Sequence, residues 1–148
     1  MSHSLTKLWI HGIFGTKDRR PLLVNAIRKN VHNHLQEKLE EMDCIVRIIN
    51  GTSDHVHLLF LLSREVSIAQ VMKSIKGETS HWINQEDIVK SKFSWSRLVG
   101  SYGAFSVSES DVGKVERYIR TQEKHHRKMT FKEEYEQFLK LHNLEINR

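Results

Sequence analysis

The sequence predicts an α+β domain: a ferredoxin-like or RRM-like antiparallel sheet with helices packed on one face. Short apolar runs typical of strands alternate with longer segments of helical periodicity in the order βαββαβα, followed by a terminal helix. The second and third apolar runs are separated only by residues 50–53, a polar Asn-Gly connection typical of an antiparallel hairpin. We expect one face of the sheet to remain available for a ligand or partner.

The first predicted elements are a strand and a long helix. Residues 8–14 are apolar and end at a polar loop, as expected of a strand. Pro21 is well placed for a helix start, and helical spacing of apolar residues continues as far as Met42. We therefore predict the first helix over about residues 21–42. The apolar residues of its packed face are Ile27, Val31, Leu35, Leu39 and Met42.

A hairpin and a second helix come next. Residues 44–49 and 55–62 are rich in branched apolar residues, so we predict that they form the two strands of the hairpin. Ser67 and Gln70 have the spacing of a capping box, which predicts a helix over about residues 67–84. The residues of its packed face are Ile68, Val71, Met72, Ile75, Thr79, Trp82 and Ile83.

A fourth strand and a third helix follow. Residues 102–107 are aromatic and branched, which favours a strand. Ser108 or Ser110 is suited to cap the third helix, which is predicted to run to about His126. The residues of its packed face are Val112, Val115 and Ile119.

The last predicted element is a C-terminal helix. Thr130 and Glu133 form a second capping box, and Tyr135, Phe138 and Leu139 follow within the helix. The chain has 148 residues and 39% hydrophobic content, enough for one core and too little for two. We expect a single domain over residues 1–148, in which residues 129–148 form a C-terminal helical extension.

Composition favours a nucleic-acid partner and a reducing compartment. Lys and Arg number 23 against 18 Asp and Glu, a formal net charge of +5, which attracts polyanions unless the charges merely solvate the surface. The only cysteine is Cys44, so no intrachain disulfide forms. The N-terminus lacks the regions of a signal peptide, and no apolar run approaches the roughly 20 residues that span a bilayer. We expect a cytoplasmic protein with no membrane contact.

His55 and His57 are candidate metal ligands. They are two residues apart on a predicted strand, so their side chains leave the same face roughly 6.5–7 Å apart and can share one ion. Exposed polar residues on the sheet face are the alternative. His32 and His34 have the same spacing on a predicted helix, where they point in different directions, so we expect both to be solvated.

Tyr118 and Gln122 form a second candidate group. They are four residues apart on the predicted third helix, so the phenol and the amide lie on one helix face. A phenol with an ordinary pKa near 10 is a weak nucleophile, and an adjacent cation would favour the phenolate. The alternative is a tyrosine that packs its ring and leaves its hydroxyl in water.

Together these residues resemble the single-tyrosine insertion-sequence transposases of the HUH endonuclease superfamily, including the transposases associated with repetitive extragenic palindromes (REPs). The resemblance covers most of the chain. It rests on residues 9–21, residues 50–59 with the His-Val-His sequence, residues 102–108, and residues 118–126 with the Tyr-x-x-x-Gln sequence. The histidine pair is moderately specific by itself, but its order and context with the tyrosine segment are highly specific.

The resemblance implies a site and a reaction. It implies that His55 and His57 are the paired metal histidines, that Gln122 is the third metal ligand and that Tyr118 is the nucleophile. The ion is then Mg²⁺ or Mn²⁺, although two imidazoles are unusual ligands for Mg²⁺. Tyrosine attack is expected to leave a 5′-phosphotyrosine link and a free 3′-hydroxyl. The implied partners are single-stranded DNA with hairpin structure and a second copy of the chain, in a prokaryotic cytoplasm, at the nucleoid when bound to DNA.

Several cations are candidates for guiding DNA, since contacts to phosphates give affinity without sequence information. A solvated charged surface is the alternative for each of them. Trp82 is expected in the core, whereas Trp95 is equally suited to the core or to base stacking. The candidate DNA-binding residues are Lys17, Arg19, Arg20, Lys73, Lys76, His125, His126, Arg127 and Lys128.

Two other functions compete with strand transfer. One is a non-catalytic nucleic-acid-binding module on the same fold, but such modules stack bases on exposed aromatics of the central strands. The predicted strand over residues 55–62 lacks an aromatic pair on either face, which disfavours this function. The other is a plasmid-type relaxase or replication nickase, which shares the chemistry but is usually larger than this chain.

Overall fold

The computed structural model describes residues 4–97, 101–125 and 130–141. Its strands and helices follow the predicted order, and short 3₁₀ turns at Lys17–Arg19 and Glu109–Asp111 precede two of the helices. The elements are β1 Trp9–Gly15, α1 Asn25–Glu41, β2 Ile45–Gly51, β3 His55–Leu61, α2 Ile68–Gln85, β4 Gly103–Val107, α3 Val112–Arg120, α4 Gln122–His125 and α5 Phe131–Leu141.

The four strands form one antiparallel sheet in the order β2-β3-β1-β4. The two central strands, β3 and β1, are joined by a register in which His55 lies opposite Gly15 and Leu61 lies opposite Trp9. This sheet, with α1 and α2 packed on one face, confirms the predicted fold class.

The main core lies between α1, α2 and the sheet. Because strand residues alternate between faces, β3 contributes Val56, Leu58 and Phe60 to this side. The helices contribute fully buried residues such as Leu35 and Ile75 at the predicted spacing. The capping box at Ser67 and Gln70 is present, with both of its hydrogen bonds.

The opposite face of the sheet is partly covered by α3. Trp9 and Leu59 point to this side and pack against Val112 and Ile119 in a second, smaller cluster. The expectation of an uncovered face is therefore wrong in part, because the apolar face of α3 buries one end of it. Beside this cluster, the same face carries the polar side chains described below.

The first helix begins later than predicted. Pro21 precedes the helix, and Val24, its N-cap residue, is extended with φ −72° and ψ 160°. The reason is a contact with the hairpin: the amide of Leu23 donates to the carbonyl of Ser53, and the Leu23 side chain is fully buried. Docking this segment therefore outweighs the helix-starting preference of proline.

The predicted serine caps of the third helix are also wrong. Ser108 precedes the 3₁₀ turn at Glu109–Asp111 and makes no side-chain capping bond there. Asp111 is the N-cap residue of α3, also without a side-chain cap, so Ser110 lies within the preceding turn.

His32 and His34 are half-buried rather than solvated. His34 stacks on Trp82 with 4.3 Å between ring centroids, and its Nδ1 lies 2.9 Å from the Thr79 hydroxyl. Burial, reinforced by the nearby Arg28, lowers the pKa of His32 to about 4. Trp82 packs on the core as predicted.

Trp95 belongs to the core and is unsuited to base stacking. Its ring is 3% exposed and lies edge-on between Phe14 and Phe93. In the described part of the chain, none of the helices is long and apolar enough to span a membrane.

Two glycines give a matched test of this packing. A Cβ at Gly51 would overlap the backbone carbonyl of His55 and press on Val56, so we expect Gly51→Ala to destabilise the fold by about 1–3 kcal/mol. A Cβ at Gly77 in α2 meets nothing, and Gly77→Ala should stabilise by about 0.5–1 kcal/mol. Urea unfolding measures both changes. Equal effects of the two substitutions would contradict this description of the hairpin.

Candidate active site

His55 and His57 lie side by side on the face of the sheet that carries α3. Both side chains are fully buried, and their ring centroids are 5.2 Å apart. Their positions follow from strand geometry, since residues two apart in β3 share one face. The predicted pairing of the two imidazoles is therefore present in the structure.

The hydrogen bonds of His55 direct its second nitrogen into the site. Nδ1 lies 2.8 Å from a carboxylate oxygen of Asp54, which can only accept, so Nδ1 carries a proton. Nε2 lies 3.1 Å from Oε1 of Gln122 and 3.5 Å from Oε1 of Glu134. Burial opposes protonation of His55, but its hydrogen bonds to Asp54 and Glu134 outweigh burial and raise its pKa.

His57 lies between two buried partners. Its Nδ1 is 2.8 Å from Nε2 of His11 on β1, and its Nε2 is 3.1 Å from Oε1 of Glu134 on α5. Burial lowers the pKa of His57 to about 4, despite the nearby carboxylate. His57 is therefore neutral at neutral pH and has one nitrogen for each of its two partners.

Glu134 is the buried acid of the site. Its side chain is 1% exposed, and its second oxygen accepts a hydrogen bond from the Gln122 amide at 3.3 Å. Burial alone would raise its pKa, but the hydrogen bonds from His55 and His57 outweigh burial and lower the pKa to about 2. Glu134 thus carries a buried negative charge beside two imidazoles.

This donor set fits a divalent cation. One atom each from His55, His57 and Glu134 lies within 4.8 Å of the others. Without a bound ion, a proton on Nε2 of His55 serves the oxygens of Gln122 and Glu134, and a divalent cation at this position would take the place of that proton. Two imidazole nitrogens with carboxylate and amide oxygens suit first-row divalent ions such as Mn²⁺ better than Mg²⁺.

Tyr118 lies on α3 next to the histidines. Its ring centroid is 5.9 Å from that of His57 and 6.5 Å from that of His11, and its side chain is half-buried. The structure therefore brings together all four residues that the sequence singled out: Tyr118, His55, His57 and Gln122. It places a phenol beside a candidate metal centre.

The predicted continuous helix through Tyr118 and Gln122 is wrong. Thr121 departs from helical geometry at φ −105° and ψ 27°, so Gln122 begins α4. Side chains satisfy the carbonyls at this end of α3: the Thr121 hydroxyl bonds back to Arg117, and the Asn50 amide donates to Ile119 and Arg120. The carbonyls of Ile119 and Arg120 thus have a hydrogen-bond donor from outside the helix.

Two further residues of the site, Glu134 and His11, were not predicted from the sequence. Glu134 follows the correctly predicted capping box of α5, and nothing in its local pattern distinguishes it from a solvated acid. The burial of His11 could have been predicted, since it shares one face of a predicted strand with Trp9 and Ile13. A buried imidazole without a hydrogen-bond partner is unfavourable, so a partner for His11 could have been predicted as well.

The predicted DNA-binding residues lie in different surroundings. Lys17, Arg19 and Arg20 are exposed in and after the 3₁₀ turn beyond β1, and Lys73 is exposed on α2. Lys76 is half-buried and donates to the carbonyls of Ser96 and Ser101, an internal contact rather than a free cation. The side chain of His125, and the residues His126, Arg127 and Lys128, fall outside the described part of the structure.

A basic cleft of about 340 Å³ lies next to this turn. Lys17 and Arg20 form one wall, and Lys92 and Arg97 from the segment before β4 form the other, with Asp18 as one acid among them. The walls are held together by backbone bonds, including that from the Lys17 amide to the Ser94 carbonyl at 3.0 Å. Asp18 and Arg19 both have positive φ, near 55°, which is unfavourable for residues with a Cβ.

Comparison with known proteins places the chain in a family. The sequence model of the family described as "Transposase IS200 like" matches residues 4–122, so the chain belongs to the IS200-like transposases. It is accordingly an enzyme with transposase activity. No curated protein sequence matches the chain.

Two solved structures share the fold. The first is a protein of Deinococcus radiodurans R1, provisionally assigned as a transposase, with TM-score 0.65 and 23% identity over 82% of this chain and 95% of the other. The second is a REP-associated tyrosine transposase bound to a REP hairpin, with TM-score 0.54 and 11% identity over 82% of this chain and 70% of the other.

The contacts of Asn50 predict how the end of α3 is stabilised. Asn50→Ala removes two hydrogen bonds to carbonyls, and we expect a loss of about 1–2 kcal/mol with faster amide exchange in α4. Asn50→Asp should cost more, because a carboxylate would face two carbonyl oxygens. Urea unfolding and hydrogen exchange measure these effects, with Asn33→Ala on the exposed face of α1 as control. A more stable Asp variant would rule out this capping role.

Proposed function

We propose that this transposase cleaves and rejoins single-stranded DNA through a covalent 5′-phosphotyrosine intermediate on Tyr118, at DNA hairpins and with a divalent metal ion. The observation that carries the proposal is the convergence of the Tyr118 ring with two imidazoles, a carboxylate and an amide oxygen in one buried cluster. A purely structural tyrosine has no need of such neighbours.

The proposed metal ligands are His55, His57 and Gln122, and we add Glu134 to this set because its carboxylate lies beside both imidazoles. A bound Mg²⁺ or Mn²⁺ would polarise the scissile phosphate and stabilise the charge that develops on it. The ligands lie on β3, α4 and α5, so the cluster also joins the C-terminal helix to the sheet. We expect the ion to stabilise the fold as well as the reaction.

The proposed reaction exchanges one phosphodiester bond for another. The Tyr118 oxygen attacks the phosphorus, the bond from phosphorus to the 3′-oxygen breaks, and the phenolic proton ends on that oxygen. The products are a 5′-phosphotyrosine and a 3′-hydroxyl. Because the bond energy is conserved, a 3′-hydroxyl can attack the phosphotyrosine in reverse and join new ends.

The proposed DNA substrate is a hairpin with a single-stranded flank. The REP-associated transposase that shares this fold is bound to a hairpin, which supports the hairpin part of the proposal. The flank would lie in the basic cleft, since a cavity of about 340 Å³ admits a nucleotide but not a duplex. The cleft begins at Lys17, two residues beyond Gly15, and Gly15 is the register partner of His55. A DNA single strand that leaves the site can therefore reach the cleft.

The remaining expectations stay predictions. They are a homodimer, a prokaryotic cytoplasmic location at the nucleoid, and a single domain over residues 1–148 with residues 129–148 as an extension.

Covalent adduct formation tests the reaction. Labelled hairpin oligonucleotides with single-stranded flanks are incubated with the protein and Mn²⁺ or Mg²⁺, then denatured and separated by electrophoresis. We expect an adduct with the unchanged protein, none with Tyr118→Phe, and none after chelation. Hairpin binding by Tyr118→Phe should persist. Binding without an adduct, across a broad pool of hairpins, would instead favour a non-catalytic binding module.

Salt dependence of binding tests the cleft. Binding is measured in the Tyr118→Phe background as the slope of the logarithm of the binding constant against the logarithm of the salt concentration. For hairpins with a flank, Lys92→Gln/Arg97→Gln should reduce the magnitude of this slope by roughly 1.4, at roughly 0.7 per lost phosphate contact. Flankless hairpins should bind unchanged. The control Lys38→Gln/Arg64→Gln removes the same charge from α1 and from the loop beyond the other end of β3. Equal losses in the two double variants would refute a dedicated cleft.

A further inference from the structure

We propose that His11 is a positioning residue that holds His57 in the tautomer needed for metal binding. This inference rests on the proposed metal site, to which it adds a residue outside the ligand set. His11 is 4% exposed, lies on the neighbouring strand β1, and has its Nε2 2.8 Å from Nδ1 of His57. The contact is to Nδ1 of His57, the nitrogen opposite the one that faces Glu134.

The hydrogen bond between His11 and His57 holds a single proton. Two neutral imidazole nitrogens at this distance share one proton, so one ring donates and the other accepts. A metal ion on Nε2 of His57 needs a lone pair there, which moves the proton of the neutral ring to Nδ1. Nδ1 must then donate, and Nε2 of His11 is the acceptor placed to receive the bond.

Without an ion, the same pair suits the opposite arrangement. Nε2 of His57 lies 3.1 Å from the Glu134 carboxylate, an acceptor that requires a proton on this nitrogen. Nδ1 of His57 then accepts, and His11 donates from Nε2. An imidazole at position 11 can therefore accept from His57 in the metal-bound state and donate to it in the metal-free state, because its own proton can lie on either nitrogen. A methyl-bearing side chain there would match neither.

The surroundings of His11 fix its ring rather than leave it free to turn away. His11 lies opposite Leu59 on β3 and opposite Phe105 on β4, and its ring centroid is 6.5 Å from those of Phe105 and Tyr118. The ring is tilted by 31° to that of His57 at a centroid distance of 5.1 Å. Burial on all these sides leaves the Nδ1 proton of a metal-bound His57 without access to water.

Because of that burial, we expect a large loss of metal affinity when His11 is replaced. Loss of a partner that orients a metal-binding histidine typically weakens metal affinity by about 10–100-fold. We expect this loss for His11→Leu, which fills space but neither donates nor accepts. His11→Gln should recover most of the affinity, because the glutamine amide can reach the same region and can either donate or accept.

The experiment measures Mn²⁺ affinity by electron paramagnetic resonance of the free ion, on the full chain without DNA. It compares the unchanged protein, His11→Leu, His11→Gln and the control Phe105→Leu, which trims a buried neighbour of His11 without touching the His57 hydrogen bond. Thermal unfolding without metal is measured for all four. Nitrogen-15 histidine spectra with and without Mg²⁺ report which nitrogen of His57 carries the proton.

The proposal predicts a large affinity loss in His11→Leu alone, recovery in His11→Gln, and a proton on Nδ1 of His57 in the Mg²⁺-bound protein. Unchanged Mn²⁺ affinity in a folded His11→Leu would overturn it while the proposed reaction stands. Equal affinity losses in His11→Leu and Phe105→Leu would reduce His11 to a packing residue. Failure of the unchanged protein to bind any Mn²⁺ would overturn this inference together with the proposed metal site. The covalent Tyr118 adduct is measured in its own assay, described above.

Discussion

The antiparallel register of β3 between β1 and β2 is the constraint on which the rest of the structure depends. Side chains alternate along a strand, so a shift of one residue would exchange its two faces. In the observed register, Val56, Leu58 and Phe60 enter the main core, while His55 and His57 face α3 and α5. The apolar residues that stabilise the fold thus also fix the position of the two imidazoles.

The buried polar cluster on the other face is stable only as a complete set. A buried charge without partners is costly, and Glu134 is compensated by two imidazoles and an amide. Each histidine in turn has a second partner, Asp54 for His55 and His11 for His57. Removing one member therefore changes the proton positions of the others, and single substitutions report on the network rather than on one contact.

Much of the fold was predictable because its signals are local. Alternating or helical spacing of apolar residues located the four strands and the two long helices, and the Ser67 capping box was correct. The errors arose where contacts distant in sequence act on the chain. Pro21 lies in a segment docked by Leu23 onto the hairpin, and the third helix ends where Asn50, from another element, satisfies its carbonyls.

The site was predictable in part for the same reason. The spacing of His55 and His57 on one strand predicts their proximity, whereas their approach to Tyr118 and Gln122 was inferred from family resemblance. Glu134 is different, because its role depends on how α5 returns to the sheet, which no local pattern records. His11 shows an intermediate case: its burial follows from its strand, but its partner depends on the register between β1 and β3.

The break at Thr121 has a mechanical consequence. A single continuous helix would make the phenol of Tyr118 and the amide of Gln122 parts of one rigid rod, so that neither could turn without the other. Because Thr121 is a non-helical joint between α3 and α4, the phenol and the amide lie on two separate helices, and the amide is bonded to Glu134. The chain thus separates the helix that would carry the DNA end from the helix whose amide would bind the ion.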